Sequence, residues 1–187
     1  MEEQESPGFG GNPNLKPCKY PIGFTQEQFD EWQKCSVDPV YFIDNYCTII
    51  TLDGGLQPFK LYDCQKKKID FIHNNRKVLL MEGRQQGKTQ TSAAYILWYT
   101  LFQEVKTVAI LANKAAAARE VMSRYQMMYE HLPIWLQQGI KVWNKGDIEL
   151  ENGSKIFTGA TTTSGPRGRS INMLYIDEAA FIPTNIA

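Results

Sequence analysis

The sequence predicts an α/β fold, a largely parallel sheet preceded by a helical N-terminal subregion. Three observations carry this expectation. The apolar runs Lys77–Glu82, Thr107–Ala112 and Ile171–Ile176 read as buried strands, too continuous in hydrophobicity to leave one face wet. Between the first two and after the second lie Thr89–Phe102 and Lys114–His131, each long enough for a helix. Strands that alternate with helices in this way are joined by crossovers, and crossovers are what parallel pairing requires.

Taken in order, residues 1–24 hold Pro7, Pro13, Pro17 and Pro21 with Gly8, Gly10, Gly11 and Gly23, a density that discourages helix and strand alike and predicts a mobile arm. Residues 25–75 form the helical subregion. Thr25-Gln26-Glu27-Gln28 fits a capping box, and Phe29, Trp32 and the stretch Val40–Tyr46 supply the apolar faces of two short helices separated near Pro39. Asp53-Gly54-Gly55 marks a turn, and Leu61–Asn74 returns to helical spacing through Leu61, Ile69, Phe71 and Ile72. From residue 76 onward the pattern becomes strand, loop, helix. The four alanines Ala115–Ala118 have the highest helix propensity, and Pro133 ends that helix. Over residues 147–160, two short strands flank Glu151-Asn152-Gly153, where glycine supplies the positive φ of a tight hairpin.

Composition narrows the function. The chain has 187 residues, 43% of them apolar, with 20 Lys and Arg against 20 Asp and Glu. That is too apolar for a disordered chain, and no apolar run approaches the ~18 residues of a membrane helix. Balanced charge excludes a histone-like binder, so any nucleic-acid contact must come from local patches. Cys18, Cys35, Cys47 and Cys64 show no Cys-x-x-Cys spacing and no paired histidines, which argues against a zinc site. The acidic start Met1-Glu2-Glu3-Gln4-Glu5 is unlike a signal peptide, so reduced, structural thiols in a cytoplasm are expected. His73 and His131 have no partner motif and are assigned no chemistry.

The loop after the first strand reads Gly83-Arg84-Gln85-Gln86-Gly87-Lys88-Thr89, a phosphate-loop candidate. Such a loop curls its amides inward at a helix N-terminus, where the helix dipole favours an anion, and a lysine reaches the β- and γ-phosphates. Gly87 and Lys88 fit these roles, and Thr89 offers a hydroxyl to Mg²⁺. The spacing departs from Gly-x-x-x-x-Gly-Lys-Thr, because Glu82 stands where glycine belongs and Gly83 follows it. A second signal is Met173-Leu174-Tyr175-Ile176-Asp177-Glu178, four apolar residues running into two carboxylates, as in a Walker B strand. With ordinary compositions the two signals should coincide by chance roughly 0.002 times in such a length, so coincidence is a poor explanation. In this reading Asp177 holds Mg²⁺ and Glu178 orients or deprotonates the attacking water. The bland alternatives are a solvated Lys88 and two acids that merely end a strand. Arg84 is placed to stabilise charge on the transferring phosphoryl group, or else to pair with Glu82 or Glu178. Arg167 and Arg169, in Gly165-Pro166-Arg167-Gly168-Arg169-Ser170, are open to DNA, nucleotide, a neighbouring subunit or solvent alone. Lys66-Lys67-Lys68 reads as the exposed face of a helix, with a DNA patch as the competing reading.

Together, Gly83-Arg84-Gln85-Gln86-Gly87-Lys88-Thr89, Trp143-Asn144-Lys145-Gly146 with Leu150-Glu151-Asn152-Gly153-Ser154, and Tyr175-Ile176-Asp177-Glu178-Ala179-Ala180-Phe181-Ile182-Pro183 resemble the large terminase subunit of T-even-like tailed bacteriophages. The resemblance extends from about Thr25 to the last residue. It implies a P-loop NTPase of the RecA/ASCE-like kind, an ATPase that powers packaging of double-stranded DNA into a procapsid. It also implies ATP and Mg²⁺ as ligands, with portal protein, the small terminase subunit and further copies of itself in a ring as partners, in the host cytoplasm. By position, the resemblance makes Gln65 the adenine-recognising glutamine, whose amide can both donate and accept; the lesser alternative on spacing alone is an exposed helix glutamine. It makes Arg84 an arginine finger in cis, Gly83, Gln85, Gln86, Gly87, Lys88 and Thr89 the nucleotide-cradling loop, and Asp177 and Glu178 the Walker B acids. Only nine residues follow Glu178, so residues 76–187 are expected to be a partial ATPase domain, truncated after the Walker B strand. The competing functions are a helicase-type ATPase, against which Asp177-Glu178-Ala179-Ala180 speaks, and a nucleotide-binding or assembly fragment without turnover.

Overall fold

The structure, a computed structural model, describes residues 8–51, 53–83, 85–161 and 170–181. The expected capping box forms at the start of α1 (Gln26–Val37): the Gln28 amide donates to Thr25 Oγ1 at 3.2 Å and the Thr25 amide to Gln28 Oε1 at 3.1 Å. Asp38 then separates α1 from α2 (Pro39–Tyr46), its carboxylate accepting from the amides of Val40 and Tyr41, with Pro39 at a position where a missing N–H costs nothing. The turn at Asp53-Gly54-Gly55 closes a small antiparallel ribbon, β1 (Thr48–Thr51) with β2 (Gly55–Pro58), in which Gly55 takes a φ of 62°. Helix α3 (Asp63–Asn74) follows, close to its expected span.

Helix α4 (Lys88–Phe102) is buried on every side from Gln90 to Trp98 and again at Thr100 and Leu101. Its surroundings are therefore the fold. α5 (Ala115–Glu130) lies against it, with Thr100 Oγ1 and the Tyr125 hydroxyl 3.0 Å apart in the buried seam. α1 is tied to it where Trp98 Nε1 donates to the Cys35 carbonyl at 2.8 Å. α2 and α3 complete the covering on the N-terminal side.

The main sheet is mixed rather than largely parallel. Among the described residues its order is β4 (Ile140–Trp143), β5 (Asp147–Leu150), β6 (Lys155–Ala160), β3 (Thr107–Ala112), β7 (Met173–Asp177). β6, β3 and β7 run parallel, while β4, β5 and β6 form an antiparallel meander. The β5–β6 hairpin turns where the sequence indicated, with Gly153 at φ 82°. β4, for which no expectation existed, adds the outer strand.

Two expectations are corrected. Lys77–Glu82 is not a strand; it runs as irregular chain, with Leu79 79% and Met81 93% exposed. Apolar character fits a segment for a sheet but does not place it there, because a strand's amides and carbonyls must be met by a neighbour. Here β7 pairs with β3 on one side, and no described strand lies on the other. The described part of the N-terminal arm is not loose. Leu15 is buried in the core, the Ile140 amide donates to the Lys16 carbonyl at 3.0 Å, and Lys19 donates its amide to Glu151 Oε1 at 2.9 Å, so the segment covers the β4 edge. Glycine and proline exclude regular structure without excluding docking.

One buried side chain governs this docking. Gln137, at the end of the turn Ile134–Leu136, accepts from the Lys16 amide at 3.0 Å and donates to the carbonyls of Asn14 and Leu132 at 2.9 and 3.0 Å. Replacing it by leucine leaves those backbone groups without their partner in the interior. Q137L is expected to lose about 1–3 kcal/mol in urea unfolding and to become cleavable by protease within residues 8–20 before the rest of the chain; a variant as stable as wild type, with an equally protected arm, would contradict this role.

Candidate functional site

The parallel strands end together: Ala160 and Asp177 both lie opposite Ala112, so the C-terminal edge of β6, β3 and β7 presents Asp177 at its rim. Glu178 follows at φ 52°, a left-handed conformation rare outside glycine, asparagine and aspartate, and its amide donates to Asp177 Oδ1 at 3.1 Å. The two acids therefore leave the strand in a tight turn, held also by the Phe181 amide donating to the Glu178 carbonyl.

The loop Gly83–Gly87 leads into α4. Gln85 and Gly87 both have positive φ, 62° and 70°, which curls the chain immediately before the helix. No side chain caps the first turn of α4, so its amides remain available to a ligand. Lys88 and Thr89, half-buried, begin this turn. Arg84, the expected arginine finger, and Arg167 and Arg169 lie outside the described residues.

Helix α3 closes over this loop. Gln65 is buried rather than exposed: its Nε2 donates to the Gln86 carbonyl at 3.2 Å and its Oε1 accepts the Tyr62 amide at 3.0 Å. A Cβ on Gly87 would sit 2.6 Å from Gln65 Nε2 and push that amide aside, and the φ of 70° itself favours glycine. An open cavity of about 240 Å³ remains between helix and loop, lined by Cys64, Gln65, Glu82, Gly83 and Gln86. This is below the roughly 300–1,000 Å³ of typical ligand pockets, as expected where Gln65 reaches across the opening.

Lys68, one helical turn after Gln65, is also buried. Its ammonium donates to Glu82 Oε2 at 3.1 Å and to the Lys88 carbonyl at 2.9 Å. The lysine run is therefore not one solvated face: Lys66 pairs with Asp44 at 3.1 Å, Lys67 is exposed, and Lys68 is internal. Burial pushes the Lys68 ammonium below its usual pKa, opposed by the nearby charges of Glu82 and Asp177.

Tyr175 is two residues before Asp177 on β7, and burial, with the Asp177 charge next, raises its pKa well above the ordinary phenol value. From sequence, Lys68 was read only as part of an exposed run, and Tyr175 and Ser92 were given no role of their own. A signal existed for the first two: Lys68 is three residues from Gln65 on a helix, and Tyr175 is two residues from Asp177 on a strand, spacings that put each pair on one face.

The turn before α4 and the Asp177-Glu178 rim are far apart in sequence, and Lys68, bonded to the Lys88 carbonyl, also feels the charge of Asp177. A curled backbone at a free helix N-terminus with a lysine is suited to an anion, and carboxylate and hydroxyl oxygens are suited to a hard cation. A family model described as terminase large subunit, T4likevirus-type, N-terminal, matches residues 79–187, more than half of the chain. The match takes in the loop, α4, the whole main sheet and both acids, and begins after α3. The chain belongs to the T4likevirus-type family of terminase large subunit N-terminal domains.

Proposed function

We propose that this chain is the ATP-binding and ATP-hydrolysing part of a terminase large subunit, a P-loop NTPase that drives double-stranded DNA into a procapsid. The observation that carries the reading is the curled start of α4, left without a side-chain cap, together with the rim of the parallel strands where Asp177 and Glu178 leave β7. The phosphates of ATP would lie against the amides of the loop and of the first turn of α4, with Lys88 on the β- and γ-oxygens. Thr89 and Asp177 would hold Mg²⁺, which neutralises charge on those oxygens when bound.

In the hydrolysis step Glu178 takes the proton of a water whose oxygen bonds to the γ-phosphorus, and the bond to the ADP oxygen breaks. Its turn directly after Asp177 sets base and metal-holding acid side by side. Arg84 is proposed to stabilise negative charge on the transferring group. Gln65 would read the adenine edge, exchanging its hydrogen bonds to Gln86 and Tyr62 for the base; α3 would then report occupancy directly to the loop. Portal protein, the small terminase subunit and a ring of copies are the proposed partners, with DNA as the load.

Lys88→Ala is expected to weaken binding of a fluorescent ATP analogue about 10–100-fold, the worth of a charge-assisted contact to phosphate; binding as tight as wild type would remove Lys88 from the site. Glu178→Gln should leave that binding within about threefold while lowering phosphate release at least about 100-fold, because an amide cannot take the water's proton. Unaltered turnover in E178Q would refute the base. Wild-type chain that binds nucleotide in the presence of Mg²⁺ but releases no phosphate would favour a binding module without turnover.

A further inference from the structure

We propose that Lys68 is a positioning residue for the polyphosphate: it neutralises Glu82 and anchors the first carbonyl of α4, so that the loop between them meets an anion without a competing carboxylate. The proposal rests on the nucleotide reading above and concerns α3, which lies outside the stretch that matches the family.

Glu82 poses the problem. It stands where a Gly-x-x-x-x-Gly-Lys-Thr loop would have glycine, and its side chain lines the same cavity as Gly83 and Gln86. A carboxylate there acts twice against a phosphate ligand. It repels the anion, and it offers Lys88 a counterion that competes with the phosphates.

Lys68 answers both effects. Its side chain is 5% exposed, so the ammonium is spent on what it touches rather than on water: Glu82 Oε2 at 3.1 Å and the Lys88 carbonyl at 2.9 Å. The first contact occupies the carboxylate. The second fixes the backbone of the residue whose side chain must reach the phosphates. Because Lys68 and Gln65 are one turn apart on α3, the same helix holds the loop at both of its ends, Gln65 at Gln86 and Lys68 at Glu82 and Lys88. The departure in the loop and the buried lysine are two halves of one arrangement: a glycine at 82 would need no Lys68, and a buried Lys68 without Glu82 would lose its ion-pair partner, leaving only the more distant charge of Asp177.

The test is a double-mutant cycle, with binding of a fluorescent ATP analogue and Mg²⁺ measured on wild type, Lys68→Gln, Glu82→Gln and the double variant, and a melting curve for each. K68Q is expected to bind about tenfold more weakly, the double variant to return to within about threefold of wild type, and E82Q to bind at least as tightly as wild type. A purely structural lysine would give a double variant as weak as K68Q, and that result overturns the proposal, as does wild-type affinity in K68Q. Should K68Q not melt cooperatively, E82Q decides alone: weaker binding than wild type by more than about threefold overturns it. Absence of binding by the wild-type chain is a separate outcome, which brings down the nucleotide reading and this proposal with it.

Discussion

A helix without a wet face has to be covered along its whole length, and in this chain the covering of α4 is what the other elements do. α5 packs on one flank, and α1 and α2 cover another, where Trp98 donates to the Cys35 carbonyl. Only the N-terminal end is left free of a side-chain cap. Burial on every side holds α4 in place, and the amides of its first turn are left without a side-chain partner.

The approach of α3 to that end adds a second constraint. Gln65 and Lys68 reach the loop with neutral and charged contacts respectively, and Gly87 accepts the closeness because it has no Cβ. The site thus draws on a loop–helix–strand unit that falls in the family match and on a helix before it that supplies the roof. Gln65 ties α3 to the loop, its Nε2 donating to the Gln86 carbonyl.

What was legible in the sequence follows from how local each signal is. The capping box at Thr25, strand β3, helix α5 and the Gly153 hairpin depend on residues a few positions apart, and they form as expected. Gly87-Lys88-Thr89 and Asp177-Glu178 were visible as contiguous motifs for the same reason. Lys77–Glu82 was misread because strand formation depends on a partner that composition does not name. β4 was missed because Ile140-Lys141-Val142-Trp143 is short and irregular in register, with a break between Ile140 and Val142. The fate of Lys68 could not be read from a run of three lysines. Only the direction in which α3 faces the loop separates a solvated charge from a buried one.

Glu178 carries a further meaning. Its left-handed backbone is a conformation that glycine would adopt without strain, and for another residue such a position costs on the order of 1 kcal/mol. Thermal robustness and the presence of a carboxylate therefore pull this one position in opposite directions. Lineages selected for heat resistance alone would drift toward glycine there, whereas lineages that must keep a working acid beside Asp177 would retain the strain and offset it elsewhere, for example in the buried seam between α4 and α5.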